Sequence, residues 1–316
     1  ETIFEAAPRL MARRINLGQT VDLVRTTTTV VEEQIRELLP RNDRPALQVA
    51  ILQYTREVAF AAAGVYARAA EARGAWDSRI EASVIDAVVR GETDESVISR
   101  ASTLGWHNDN KVVVLVATAK HDEGIDPLRR TSSKAGFDLL ATVQGERLVC
   151  ILGGQTVTTP VETARAVEPL TEHFGDGPII IGPIVSSLAD ASRSAREAAS
   201  GFRAARAWPE GPHIMLSSDL LPERALAGDG HARRALGVDL YEQLDAHHDL
   251  LETVVNFLDH GSSMEATARA MYVHPNTVRY RLKRITEITG YNPSNAREAY
   301  ILRMAVTLGR LHTRHQ

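Results

Sequence analysis

Through the first 90 residues apolar side chains return at helical spacing, at Ile35, Leu38 and Leu39 and again at Leu47, Ile51, Tyr54 and Val58. No convincing strand interrupts them, so the pattern predicts an all-α bundle of four or five helices over residues 1–90. Pro40-Arg-Asn-Asp-Arg-Pro45 separates two of the helices, because proline ends a helix and Asn and Asp favour turns. The alanine-rich run Ala59 to Arg73 is a strong helix former, and a further helix is expected after Gly74, from Asp77 to Val89, stopping at Gly91.

Near residue 111 the pattern changes. Lys111-Val-Val-Val-Leu-Val-Ala117 is a short apolar run dominated by β-branched residues and reads as a buried strand. Phe137 to Val143 and Arg147 to Leu152 flank Gln144-Gly145-Glu146, which predicts a hairpin, and Pro178-Ile-Ile-Ile-Gly-Pro183 predicts a fourth strand. Pro160 to Phe174 reads as a helix, and Leu188 to Ala207 sets Leu188, Ala191, Ala195, Ala198, Phe202 and Ala205 on one helical stripe. Strands with helices between them predict an α/β domain over residues 95–218. Ser217 to Gly237 is rich in Gly, Pro and charge and reads as a loose connection, so 219–248 is taken as a connecting segment.

From residue 249 to the end the signals are helical and closely spaced. Leu250, Val254, Phe257 and Leu258 form an apolar stripe ended by Gly261. Ser262-Ser-Met-Glu265 has capping-box spacing and opens a second helix whose apolar face is Met264, Ala268 and Met271. Tyr272-Val-His274 then leads to Pro275, suited to a first helical position, and a third helix runs to Thr289 before Gly290. Two short helices joined by such a turn have helix-turn-helix spacing, in which the second helix enters the major groove.

At 3.6 residues per turn the third helix has two faces. Val278, Leu282, Ile285 and Thr289 point inward, whereas Asn276, Arg279, Tyr280 and Lys283 point outward with Arg284 at the edge. Arg suits guanine and Asn suits adenine, so the outward face has the chemistry of base readout. Free N–H groups around Pro275 to Thr277 are suited to a backbone phosphate. Arg281 lies roughly 45° off the apolar stripe; it reaches either back to a carboxylate such as Glu265 or outward to a phosphate.

Composition sets bounds on this picture. Apolar residues are 44% and charged residues 24% of the 316, which excludes a disordered chain. No apolar run is long enough to span a bilayer, and ETIFEAAPRL lacks the layout of a secretory signal. Cys150, the single cysteine, reads as a small buried hydrophobe, which fits a reducing cytoplasm. The net charge of −4 is unevenly spread: residues 249–316 hold nine Lys or Arg against six Asp or Glu, a balance of +3 that leaves −7 for the rest. An acidic body with a basic end module is one pattern for a regulator that meets DNA through that module alone.

The run His274-Pro-Asn-Thr-Val-Arg-Tyr-Arg-Leu-Lys-Arg-Ile285, with Glu287-Ile-Thr-Gly290, Asn292-Pro-Ser-Asn295 and a last helix from Arg297 to Leu311, resembles the C-terminal helix-turn-helix of the PucR/CdaR family of bacterial transcription regulators. The resemblance implies double-stranded operator DNA as partner and a homodimer. Residues 112–207 are similar to the GGDEF-like domain that many members carry, and residues 1–75 to the all-α sensor of RsbR-like proteins. The family implies a small-molecule effector, expected between the N-terminal helices or at their seam with the middle domain.

Active cyclases of the GGDEF type hold a divalent ion with acidic residues at the hairpin and after the first strand. Here the hairpin reads Val143-Gln-Gly-Glu-Arg147 and the strand ends Ala117-Thr-Ala-Lys120, so of that set Glu146 remains. The middle domain is therefore read as degenerate and non-catalytic. His121-Asp-Glu-Gly124, His247-His248 and Gly175-Asp-Gly177 lack the spacing of a metal site or phosphate loop. The expectation is a multidomain cytoplasmic regulator without cofactor or metal: an all-α bundle, an α/β degenerate GGDEF-like domain and, over 249–316, an all-α helix-turn-helix domain. Its DNA contact comprises His274, Pro275, Asn276, Thr277, Arg279, Tyr280, Arg281, Lys283 and Arg284. The alternatives are a nucleotide-binding or cyclase-like signalling protein, and a scaffold offering the basic helix to an acidic protein.

Overall fold

A computed structural model describes residues 17–38, 40, 44–107, 110–120, 122 and 124–313. The side chains of Ile35, Leu38 and Leu39, the turn residues 41–43, and His121 and Glu123 lie outside what is described. The chain divides into two compact units, residues 1–80 and 81–316.

In the first unit two helices stand where four or five were expected among the described residues: α1 (Leu17–Leu38) and α2 (Arg44–Arg90). Gly74 does not break α2. A glycine inside a helix costs only about 1 kcal/mol relative to alanine, and the Ala, Arg and Glu residues around it supply the propensity to continue. Side-chain hydrogen bonds between Thr20 and Tyr66 (2.7 Å) and between Thr28 and Thr55 (3.3 Å) set α1 antiparallel to α2. Val58 and Ala62 are buried, whereas Leu52, Phe60 and Trp76 stay mostly in solvent. The hydroxyls of Thr26 to Thr29 bond back to carbonyls one turn earlier, which accounts for that run structurally.

The second unit begins with the last turns of α2 and α3 (Glu95–Thr103), whose N-cap Asp94 accepts from the Val97 N–H at 3.0 Å. Then follow β1 (Val112–Thr118), α4 (Ile125–Lys134), β2 (Asp138–Gln144), β3 (Arg147–Gly153), α5 (Pro160–Val167), β4 (Ile179–Ile181), α6 (Ala191–Ala204) and β5 (Ile214–Leu216). The strand order is β2-β3-β1-β4-β5, with β4 and β5 parallel and the other neighbours antiparallel. The expected hairpin turns at Gly145-Glu146 between Gln144 and Arg147. The helix expected to reach Phe174 leaves the α form at Val167 and tightens into a 3-10 turn over Glu168–His173, because Pro169 offers no N–H to the fourth carbonyl before it. β5, three residues long, is too short to show a period in sequence.

β1 is continuous in Val and Leu because it is central and covered on both sides. Val113, Leu115 and Ala117 share one core with Leu128, Cys150, Val167 and Ile181. On the other face α6 closes in, and Ser194 Oγ accepts from the Val114 N–H at 2.8 Å. The outer edge of β2 would leave N–H groups exposed for stray pairing. Glu81 of α2 occupies it, accepting from the Ala141 N–H at 2.7 Å and pairing with Arg129 at 2.9 Å. Burial pushes the Glu81 carboxyl above its usual range, and burial likewise pushes up the Cys150 thiol.

The stretch read as a loose connection is ordered. It folds as α7 (Leu221–Leu226), α8 (Gly230–Arg234), a π-helical turn (Ala235–Leu240) and α9 (Tyr241–Asp245). Leu236, Leu240 and Leu244 bury into the same core as Leu250, Val254, Phe257, Val278, Leu282 and Ile285. Gly, Pro and charge mark the ends of these short helices, and burial of the leucines supplies the order that local propensity does not. The charge is also used: Arg224, about 1% exposed, pairs with Glu197 (3.2 Å) and Asp229 (3.0 Å) and donates to the Ser217 carbonyl (2.9 Å). The remaining helices are α10 (His248–Asp259), α11 (Met264–Ala270), α12 (Pro275–Thr289) and α13 (Ala296–Thr313).

Candidate nucleic-acid interface

The α11–α12 pair is built by local signals. Ser263, not Ser262, caps α11, its hydroxyl accepting from the Ala266 N–H at 3.2 Å. Ser262 takes the left-handed conformation (φ 61°) needed to leave Gly261, so the Ser262 capping box gives way to a cap one residue later. Four residues, Met271 to His274, connect the helices, and α12 ends at Gly290, whose φ of 75° is the left-handed cap that glycine adopts without strain.

Val278, Leu282 and Ile285 are buried against α10 and α11, while Thr289 is half-buried with its hydroxyl bonded to the Ile285 carbonyl. On the opposite face Asn276, Arg279, Tyr280, Lys283 and Arg284 are all exposed. Arg279 donates to the Asn276 amide oxygen at 2.8 Å, which holds the two polar heads together. Arg284 pairs along the helix with Glu287 at 2.9 Å. Pro275 and Thr277 are half-buried in the first turn.

Two sequence readings are revised by geometry. The first-turn N–H groups are not open: His274 Nδ1 accepts from the Asn276 N–H at 3.2 Å, and the His274 carbonyl accepts from the Thr277 N–H at 2.9 Å. What the first turn offers outward is the other imidazole nitrogen, Nε2, which carries the ring proton when Nδ1 accepts. Arg281 turns inward, and its carboxylate is not Glu265. It meets Asp249 at 3.3 Å and donates to Thr253 Oγ1 at 3.2 Å, both on α10. Arg281 thus fastens α12 to α10.

One residue escaped the sequence reading. Tyr272, in the turn that leads to α12, has φ 54° and is 96% exposed, so its side chain stands in solvent. The available signal was an aromatic residue in a turn flanked by helix signals.

In the middle domain, the Ala119 N–H donates to the Glu146 carbonyl at 2.9 Å, so the hairpin tip lies beside the end of β1, where a cyclase would gather its carboxylates. Lys120 follows there, and its ammonium donates to the Glu172 carbonyl at 3.0 Å. Among the described residues no group of three or more His, Cys, Asp or Glu is placed to hold a metal ion, and no helix is long and apolar enough to cross a membrane.

A capped short helix, a four-residue turn and a longer helix with a buried apolar face and a basic polar one define a helix-turn-helix protein of the DNA-binding class. Residues 250–308 match the PucR C-terminal helix-turn-helix domain and residues 90–204 the GGDEF-like domain. An uncharacterized protein of Mycobacterium tuberculosis is 46% identical over 323 residues, covering 98% of this chain and 77% of that one. The DNA-binding transcriptional activator AdeR of Bacillus subtilis is 26% identical over 206 residues, covering 60% of this chain and 48% of that one. The crystal structure of a regulator of polyketide synthase expression from Bifidobacterium adolescentis is 31% identical with a TM-score of 0.62, covering 75% of this chain and 94% of that one. The chain belongs to the PucR family of bacterial transcription regulators, and with it to the DNA-binding regulators rather than the enzymes.

Proposed function

We propose that the protein acts in the cytoplasm as a homodimer that binds operator DNA through α12 and responds to a small-molecule effector. In this reading Asn276, Arg279, Tyr280 and Lys283 face bases, His274, Pro275, Thr277 and Arg284 lie against the phosphate backbone, and Tyr272 adds a contact from the turn. Arg281 serves by holding α12 in place. The observation that carries the reading is the division of α12 into a buried apolar side and an exposed face of Asn, Arg, Tyr and Lys. The three parts of the chain are assigned as 1–90 for sensing and pairing, 95–218 as a non-catalytic connecting domain, and the helices from Leu221 onward as the DNA-reading unit.

Dimerisation is supported by the first unit, where Leu52 (63%), Phe60 (73%) and Trp76 (62%) stay exposed on one long helix. Apolar side chains of that size in water favour a partner surface, and a two-fold pair would present two copies of α12 to half-sites about one helical turn of DNA apart. Sedimentation velocity tests this: the chain sediments as a dimer, and Leu52→Glu with Phe60→Glu sediments as a monomer.

Fluorescence anisotropy with DNA from upstream of the protein's own gene, across a salt series, tests the main reading. Specific binding should weaken steeply with salt as counterions are released. Arg279→Ala should cost about 1–3 kcal/mol and relax base preference, and Lys283→Ala should weaken binding in the same range. Unchanged binding in both variants rejects the assignment of the face. Formation of a cyclic dinucleotide from GTP rejects the non-catalytic middle domain.

A further inference from the structure

Between the middle sheet and the first helices of the DNA-reading unit lies a cleft of about 890 Å³, within the size of small-molecule sites. Its floor is the chain just beyond the carboxyl ends of the parallel strands β4 and β5, at Gly182-Pro183 and Ser217-Ser218. Ligands commonly settle beyond the carboxyl ends of parallel strands. This is a different place from the one expected in the sequence, between the N-terminal helices or at their seam with the middle domain.

The cleft carries a modest positive excess. Lys111, Arg193, Arg224 and Arg234 line it against Glu197 and Asp239, and Asp229 also pairs with Arg224 at 3.0 Å, so four cations face three carboxylates. Glu197 is shared by Arg224 at 3.2 Å and Arg193 at 3.3 Å, and Asp239 stands 3.9 Å from Arg234. The excess of positive charge in a concave site favours an anion.

A second feature lies in the wall. Ala235 and Asp239 belong to the π-helical turn, and π turns are rare and found frequently at functional sites. The same turn and the helix after it pack against α13. A Cβ on Gly237 would lie 3.0 Å from Leu308, and one on Gly309 would collide with the Tyr241 ring, so α13 follows this wall closely.

We propose that the cleft binds a small anion bearing a carboxylate or phosphate group, seated against Lys111, Arg193 and Arg234, and that its occupancy shifts the π-helical turn and through α13 alters DNA affinity. The proposal rests on the effector-responsive regulator described above and assigns that regulator's ligand class and site.

Isothermal calorimetry on the full chain, with inorganic phosphate and separately with succinate at ionic strength matched by sodium chloride, tests it. Saturable binding of one anion per chain is expected, and whichever of the two binds more tightly identifies the group. Lys111→Glu with Arg234→Glu, both exposed positions, should weaken that binding at least tenfold while circular dichroism stays unchanged. Absence of saturable binding by both anions, or equal binding by the double variant, overturns the site. DNA affinity unchanged by a saturating anion overturns the coupling. Anisotropy without anion and at saturating anion separates the two readings: DNA binding without anion binding rejects the site alone, whereas anion binding with no DNA binding in either condition rejects the regulator reading and leaves the site standing.

Discussion

Arg297 offers the sharpest test of how α13 is held against α7 and the end of the middle domain. From α13 its guanidinium donates to both carboxylate oxygens of Glu223 on α7, at 2.6 and 2.5 Å, and to the Asp219 carbonyl. Its carbon centre lies 3.9 Å from the centre of the Trp208 ring, which follows α6. The side chains are 21% and 7% exposed, so the pair is largely withdrawn from water. Removing one partner of a buried pair costs about 3–5 kcal/mol, mostly for the charge left behind. The partial exposure of Arg297 lowers that figure, and loss of the stacked ring returns about 0.5–1 kcal/mol to it. Arg297→Ala should therefore destabilise the α7–α13 contact by about 3 kcal/mol, an energy that corresponds to roughly a hundredfold in an opening equilibrium. Hydrogen exchange read by mass spectrometry on α13 peptides measures that opening directly. Arg297→Met with Glu223→Leu removes both charges and should recover protection to within about tenfold of the wild type, since an apolar pair can replace a buried ion pair. Less than threefold loss in the single variant, or a double variant as labile as the single one, would refute the reasoning.

Three further outcomes are expected. Arg281→Ala should lower stability by about 1 kcal/mol, because its pair with Asp249 is partly open to water, and should leave the salt slope of DNA binding unchanged; a slope reduced by about one unit would place Arg281 on a phosphate instead. Glu81 titrates above its usual 4.5 in the folded chain because it is buried, so its contribution is fully favourable below 4.5 and is lost as pH rises through the folded value. Glu81→Gln should consequently gain stability over the wild type at neutral pH and lose that advantage below about pH 4.5; a difference independent of pH would contradict this. Cys150 is fully buried with its thiol pushed up, so a disulfide reagent should label no thiol in the native chain and one in guanidinium; labelling of the native chain would show that the sheet opens at β3.

Much of the DNA-reading unit was legible because its signals are local. Pro275 and Gly290 bound α12 through their own backbone preferences, and the 3.6-residue period placed Val278, Leu282 and Ile285 inward without knowledge of what covers them. The strands β1 to β4 were legible for the same reason, as short β-branched runs between turns. The segment 219–248 was misread because Gly, Pro and charge at helix ends look like a loop, although Leu236, Leu240 and Leu244 recur every four residues and were a usable sign of a buried helix face.

The sequence by itself determined that a basic, capped helix-turn-helix closes the chain and that an α/β domain precedes it, since periodicity, caps and turns depend on neighbours a few residues away. Only the tertiary structure decided what Arg281 holds, which atom caps α12, and how Arg297 reaches Glu223 across 74 residues of chain. It also decided that the residues from Leu221 to Asp245 belong to the DNA-reading core and wall a cleft. Ion pairs and cavities are made by surfaces far apart in sequence, and no pattern along one segment specifies which surface it will meet.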